Sequence, residues 1–450
     1  MIRQVSAAES ELLQRRAAGS LLAAGVTAGD RVVLSLSGST DYVSAVLGAT
    51  RTGVVPVPLD PRLTAHECGL IIDDVEPALV IDDEEALHDL LNGPEETLAA
   101  WPLCRPMHFT SGTTGRPKGV WSGLLDEEDA RRLAEEERDL WSFDGNDVNL
   151  VISPIYHSAP LRFASGTLLA GGSVAVLASF DPPSFAAAVR DVRPTTMFCV
   201  PAHLQRIFAW QDETRGEVDA SSFRLVAHAG APCPDTIRKR AHETFGVDVV
   251  WEFYGSTEGQ WTACPAADWR EHPGTVGRAR PGRTISVDDD PPQAGGAPSL
   301  LWCVAPPWAR FEYWRDPAKT AAAWKMTPDG PAFTVGDLGR IENGWVYLDS
   351  RRADLIISGG VNVYPAEVEA ALADARGLVE IAVFGQEDDR WGQRVCAAYV
   401  GDVTEESLRA LAATRLSPPK RPKEYVRLTA LPRTATGKIR RHELPNARAL

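Results

Sequence analysis

Several things are missing from this chain of 450 residues. No run of about 18 apolar residues occurs, so no membrane-spanning helix is expected. The N-terminus lacks the basic-then-apolar pattern of a secretory signal. None of the seven cysteines (Cys68, Cys104, Cys199, Cys233, Cys264, Cys303, Cys396) forms a Cys-x-x-Cys pair. Neither a zinc site nor a disulfide framework is indicated, and an odd, scattered set fits a reducing cytoplasm. Excess positive charge is also absent: the net charge is −15. Such a chain is a poor general ligand for nucleic acid or anionic membrane, although a local basic pocket is not excluded. No internal repeat is visible.

What is present is ordinary for a globular protein, 44% hydrophobic and 24% charged, and long enough for two or more domains. The most informative stretch is Thr110-Ser111-Gly112-Thr113-Thr114-Gly115-Arg116-Pro117-Lys118-Gly119. Three glycines free the backbone, while four hydroxyls and a lysine crowd the same few residues. That combination suits a loop that wraps phosphate. It is not a Walker loop, because no Gly-Lys-Ser/Thr follows Gly112 at the required spacing.

Apolar runs and helical spacing alternate from residue 9 onward. Helices are expected at 9–24, 41–51, 180–190, 234–245 and 365–373. Strands are expected at 31–36, 54–57, 148–153, 172–178, 195–200, 224–229, 247–253 and 345–348. The charged segment 126–141 reads as a solvated helix. Such alternation predicts an α/β fold with a parallel sheet covered on both faces. The strand over 247–253 would deliver Tyr254-Gly255-Ser256-Thr257-Glu258-Gly259 to a carboxyl edge, where open α/β sheets bind ligands. There Glu258 can ligate Mg²⁺, Thr257 can donate to an α-phosphate and Tyr254 can lie against a base.

These motifs, in this order, resemble the adenylate-forming superfamily of acyl-CoA synthetases, peptide-synthetase adenylation domains and luciferases. The resemblance runs from about Leu12 to Leu444 and is strongest toward the acyl-CoA ligase branch. It implies a large N-terminal domain of layered sheets and helices (1–350), a hinge (351–354) and a small mobile α+β domain (355–450) that alternates between two positions. It also implies that Thr110, Ser111, Gly112, Thr113, Thr114, Gly115 and Lys118 bind the β- and γ-phosphates of ATP. Gly230 and Ala231, in His228-Ala229-Gly230-Ala231-Pro232, would admit the adenine and the acyl group, because a larger side chain would fill the pocket. Tyr254 and Gly255 belong to the nucleotide site. Asp337 and Arg351 would hold ribose, although Thr334 and Val335 stand where the family has a basic residue and then threonine. Lys438, in Thr436-Gly437-Lys438, would sit over the carboxylate and α-phosphate, and Gly359-Gly360 would line the CoA tunnel. Glu367 and Glu369 are expected in the first turn of a helix, favoured by its dipole. His157 would gate the acyl site, or else be a hydrogen-bonded structural histidine. At the hinge, Ala353 replaces the usual Asp or Lys, and the family usually carries a few tens of residues more before the first helix.

The implied reaction is activation of a carboxylic acid by MgATP to acyl-AMP, then transfer to CoA as cosubstrate. An alternative acceptor is a carrier-protein thiol, an amine or another small nucleophile; a third reading is a nucleotide-binding pseudoenzyme. The presence of Glu258, Asp337, Arg351 and Lys438 argues against the last. Residues 158–166 contain no carboxylate, whereas amino-acid-activating relatives place an aspartate there, so an amino acid is not the expected substrate. The Tyr156-His157-Ser158-Ala159-Pro160 segment followed by Phe163 resembles the bile-acid, steroid and fatty-acyl branch.

Overall fold

The structure is a computed structural model describing residues 2–63, 65–110, 118–288, 299–351, 356–358, 361–363, 365–388, 392–416, 418–434 and 437–446. The chain packs as two compact units, residues 1–284 with 303–333, and residues 285–302 with 334–450. Residues 334–350 belong to the second of these units.

The first unit is built on an eight-stranded sheet. Five parallel strands form its centre, in the order Ser173–Val176, Val148–Val151, Thr196–Cys199, Leu225–His228 and Val250–Glu252. Gln4–Ser6 closes one edge antiparallel, pairing Val5 with Val174. Thr262–Pro265 and Arg278–Ala279 extend the other edge. The central strands are mostly apolar because both faces are covered, with Asn149, Thr196, His228 and Glu252 as buried polar exceptions. On one face Met197 and Val226 pack under Phe185, Phe208 and Phe245. On the other, Phe198 and Ala227 meet Trp141, Phe163 and Phe253.

Caps mark the helix boundaries. Ser6 and Glu9 form a capping box at Ala7–Ala23, where Gly25 follows with φ +78°. Asp181 caps Pro182–Val192, with proline in its first turn. The helix Glu127–Trp141 is not the fully solvated element its composition suggests. Trp141 enters the aromatic cluster, and Glu136 and Glu137 turn inward. Glu136 accepts from Arg283 at 3.0 Å and from the Trp308 indole at 2.8 Å. Glu137 pairs with Arg162 at 2.9 Å and with Arg280 at 3.4 Å. Two carboxylates on one helical face are held by arginines brought from distant segments.

This unit also holds two three-stranded sheets and the paired strands Trp324–Thr327 and Gly330–Phe333. Val55–Pro58, Arg31–Leu34 and Leu79–Ile81 run parallel. Glu312–Tyr313, Lys118–Trp121 and His108–Thr110 run antiparallel. The second unit contains the hairpin Asp337–Glu342 with Trp345–Arg351. It also holds a sheet in the order Val361–Val363, Ile356–Ser358, Gly392–Gly401 and Leu378–Asp388, with Glu424–Arg427 pairing Gly392–Gly401. The helices Pro365–Leu372 and Glu405–Arg415 pack on it, burying Val368, Leu372 and Leu408 against Val383 and Val395.

Candidate active site

In the first unit, the carboxyl ends of the parallel strands present three loops, one after Val148–Val151, one after Leu225–His228 and one after Val250–Glu252. The third is the most tightly built. An antiparallel bridge joins Gly255 to Gln260, and the Ser256 amide donates to the Gly259 carbonyl at 2.9 Å. The amides of Trp261 and Thr262 both donate to the Tyr254 carbonyl, at 2.9 and 3.1 Å. A Cβ on Gly255 would lie 2.8 Å from both Gln260 Cα and the Gly259 carbonyl oxygen. Only glycine closes this loop, which carries Thr257 and Glu258 at its tip.

Glu258 is buried, and its Oε1 accepts a hydrogen bond from the Tyr313 hydroxyl at 2.9 Å. Its backbone carbonyl accepts from Arg105 Nη1 at 3.4 Å. Arg105 also donates to the Arg310 carbonyl at 3.1 Å. One carboxylate oxygen is thereby oriented, and among the described residues no ion pair engages the carboxylate. That donor set suits Mg²⁺, which takes carboxylate together with phosphate oxygens. The Tyr254 ring is also buried, packed on Trp261 with centroids 5.3 Å apart.

The phosphate-type loop hangs on the His108–Thr110 and Lys118–Trp121 hairpin, whose register sets Thr110 opposite Lys118. Thr110 ends its strand, while Ser111, Gly112, Thr113, Thr114 and Gly115 lie outside the described residues. Gly119 is closely packed: a Cβ there would meet side-chain atoms of Phe109, Met107 and Trp314 at 3.0–3.1 Å, so a larger residue would make them shift. The Lys118 ammonium lies over the Tyr313 ring, 5.1 Å from its centroid. Burial and the neighbouring Lys319 push its pKa down to about 8, against the opposing pull of Glu258 and Asp316. Tyr313 thus touches both sequence motifs, its hydroxyl on Glu258 and its ring on Lys118. Neither Tyr313 nor Lys319 nor Arg105 is marked by a sequence motif. The one local signal is the Asp316-Pro317 pair, which announces the helix Pro317–Ala323 carrying Lys319.

The loop after Leu225–His228 has two further features. Gly230 has φ +90°, and a Cβ would find only Val200 within 4 Å, at 3.6 Å. The backbone conformation by itself calls for glycine there. Ala231 follows it half-buried. His228 turns to the opposite sheet face, under the Asp235–Phe245 helix near Arg238 and His242. Neither of its ring nitrogens has a hydrogen-bond partner among the described residues. Burial pushes its pKa down to about 3, which keeps the ring neutral. In the loop after Val148–Val151, His157 is the N-cap residue of Ser158–Leu169 without a side-chain capping bond. Its ring packs on Tyr156 at 4.5 Å. The one charged residue within 158–166, Arg162, is paired with Glu137 and donates to Gln260 Oε1 at 2.8 Å.

In the second unit, Asp337 and Arg351 are direct cross-strand partners, which places the two expected ribose residues at one end of a hairpin. Asp337 is buried; the Arg351 side chain and residues 352–354 lie outside the described residues, as do Gly359 and Gly360. Lys438 is exposed at the end of a closed loop. The Thr434 amide donates to its carbonyl at 2.8 Å, its own amide donates to Thr434 Oγ1 at 3.1 Å, and Gly437 takes φ +81°. Glu369 is past the first helical turn and has other work: it accepts from the Val383 amide at 2.7 Å and from Arg441 at 2.6 Å. The Glu367 side chain lies outside the described residues.

The family model for AMP-binding enzyme matches residues 2–101 and 105–304, and that for the AMP-binding enzyme C-terminal domain matches 367–438. The long-chain-fatty-acid–CoA ligase FadD13 of Mycobacterium tuberculosis is 30% identical over 96% of this chain and 91% of its own length. The fatty acid–[acyl-carrier-protein] ligase ScoC of Streptomyces coeruleorubidus is 30% identical over 95% of this chain and 89% of its own. Among solved structures, the o-succinylbenzoate coenzyme A synthetase MenE of Bacillus subtilis, in complex with ATP and magnesium ion, superposes with a TM-score of 0.83. It is 25% identical, covering 97% of this chain and 94% of that one.

Proposed function

The chain belongs to the AMP-binding enzyme family, and from that premise we propose that it is an acid–CoA ligase that activates a carboxylic acid with MgATP and passes the acyl group to CoA. The observation that carries the proposal is the joining of Glu258 and Lys118 through Tyr313, which sets a cation ligand beside a phosphate-binding lysine. In the first half-reaction a carboxylate oxygen attacks the α-phosphorus of ATP, and pyrophosphate leaves with the electron pair of the broken P–O bond. In the second, the thiol sulfur attacks the acyl carbonyl carbon, AMP leaves, and the thiol proton passes to solvent.

Residue roles follow the motifs. Thr110, Ser111, Gly112, Thr113, Thr114, Gly115 and Lys118 hold the β- and γ-phosphates, and Thr257 donates to the α-phosphate. Glu258 would hold the Mg²⁺, which when bound neutralises phosphate charge. Gly230 and Ala231 border the adenine with Tyr254, whose buried ring limits it to an edge or hydroxyl contact. Asp337 accepts from ribose hydroxyls, with Arg351 beside it in register. Lys438 sets a positive charge where negative charge grows during attack on phosphorus. His157 stands at the acyl end of the site, and Gly359 and Gly360 line the path of the thiol after rotation about 351–354.

The ScoC resemblance supports a second reading in which a carrier-protein thiol is the acceptor. One experiment separates them: pyrophosphate release across a panel of aliphatic, alicyclic, aromatic and amino acids, with CoA, with a holo carrier protein, or with neither. Thioester formation with CoA is the expected outcome. A proteinogenic amino acid as best substrate, or transfer to the carrier alone, would overturn it. Among the described residues no helix is long and apolar enough to cross a membrane. With its scattered cysteines, the protein is proposed to act in the cytoplasm.

A further inference from the structure

Lys319 belongs to none of the recognised motifs, yet it shares a ring with one of them. Its ammonium lies 5.9 Å from the centroid of Tyr313, and that of Lys118 lies 5.1 Å from the same centroid. The two arrive from different elements, Lys118 from the strand Lys118–Trp121 and Lys319 from the helix Pro317–Ala323. Among the described residues neither has a carboxylate within ion-pair distance. Asp316, the nearest acid in sequence to Lys319, spends Oδ1 on the Lys319 backbone amide at 3.0 Å, capping its own helix.

We propose that Lys319 is a second polyphosphate-binding residue, which with Lys118 grips the pyrophosphate portion of ATP and the pyrophosphate product. The inference rests on the adenylation reading above and extends it to a residue outside the motifs. Two like charges held over one ring repel each other, and Glu258 and Asp316 offset this only in part. Lys118 registers this directly, since Lys319 helps to lower its pKa to about 8. An anion carrying charge on two adjacent phosphoryl groups relieves the repulsion by meeting both ammonium groups at once. The Glu258 carboxylate on the hydroxyl of that same tyrosine adds a cation ligand beside them. Two cations and one carboxylate around a single ring match a metal-bound diphosphate. A single phosphoryl group such as that of AMP gains nothing from the second lysine.

The test is calorimetric binding of MgATP, magnesium pyrophosphate and AMP to the purified full-length chain and to Lys319→Ala, Lys319→Arg and Lys118→Ala. Lys319→Ala should weaken ATP and pyrophosphate about tenfold or more, the usual size of a lost charge-assisted contact, and leave AMP unchanged. Lys319→Arg should restore much of the loss. Thermal unfolding without ligand should match wild type, because Lys319 is half-buried on a short surface helix. Wild-type affinity for ATP and pyrophosphate in Lys319→Ala, with loss in Lys118→Ala, would overturn the role of Lys319 alone. Equal weakening of AMP would overturn it too, because the residue would then shape the whole pocket. Failure of the unaltered chain to bind ATP or pyrophosphate would overturn the adenylation reading itself.

Discussion

Replacing Tyr313 by phenylalanine removes one oxygen and should change one property. The Tyr313 hydroxyl donates to Glu258 Oε1 at 2.9 Å, and both residues are buried. The ring that faces Lys118 and Lys319 is retained. Two effects oppose each other at the carboxylate. Without the donor its oxygen is more basic, which favours a cation. It also loses its orientation and keeps a buried acceptor unsatisfied, at about 1.5–3 kcal/mol for a bond to a charged group. Loss of such an outer partner typically costs about 10–100-fold in metal affinity, so orientation outweighs basicity. Pyrophosphate exchange measured against free Mg²⁺ at fixed ATP should show the half-saturating concentration rising about tenfold or more in Tyr313→Phe. Binding of ATP without metal should be unchanged, since the ring is intact. Tyr313→Leu, which loses ring and hydroxyl, should lose both. An unaltered Mg²⁺ titration in Tyr313→Phe would refute the reasoning, because the hydrogen bond would then not orient the metal ligand.

Gly255→Ala should lower the melting temperature and remove adenylation together, since a Cβ 2.8 Å from two backbone atoms costs about 1–3 kcal/mol and opens the Gly255–Gln260 bridge; normal exchange in a stable variant would contradict this. Lys438→Ala should depress acyl-AMP formation by roughly two orders of magnitude or more while sparing thioester formation from synthetic acyl-AMP, and equal losses in both steps would count against its assigned role. Burial pushes the pKa of His108, His203 and His242 from 6.5 to about 4 and that of His228 to about 3. The unfolded chain therefore binds more protons below pH 6.5; the stability these rings contribute is complete above 6.5 and is lost as pH falls toward 4. Urea midpoints should drop steeply over that window, by up to about 1.4 kcal/mol per pH unit for each ring, and a flat profile from pH 7 to 4.5 would show the rings are not buried neutral.

The parts legible in the sequence are those that local chemistry decides. Leu225–His228 and Thr196–Cys199 announced themselves because a parallel strand covered on both faces is predominantly apolar. The direction of Val250–Glu252 then fixed which edge carries Glu258. The illegible parts depend on partners far along the chain. Tyr313 meets Glu258 across 55 residues, and nothing around it distinguishes it from any aromatic strand residue. Glu136 and Glu137 look like solvent-facing charges until Arg162, Arg280 and Arg283 arrive. Glu369 follows the same rule: helix position suggested a dipole contact, but Val383 and Arg441 claim the carboxylate. At Gly230 the turn adds a reason the sequence does not show, a φ of +90° that favours glycine.

Arg105 shows how such distant contacts set the geometry of the site. Its pKa is pushed down to about 10 by burial and by the like charges of Arg283 and Arg162, with Glu258 acting the other way. Among the described residues it has no carboxylate within ion-pair distance, and its Nε has no partner. A guanidinium placed this way is unfavourable on its own and persists only where its remaining donors are used. They go to two backbone carbonyls, of Glu258 and of Arg310. Arg105 therefore ties the glycine-bridged loop to the segment that leads, three residues later, into Tyr313. The backbone of Glu258 is held by Arg105, which precedes the strand His108–Thr110, and its carboxylate by Tyr313, in the strand Glu312–Tyr313. A carboxylate fixed at both ends in this way keeps one orientation as charge beside it changes.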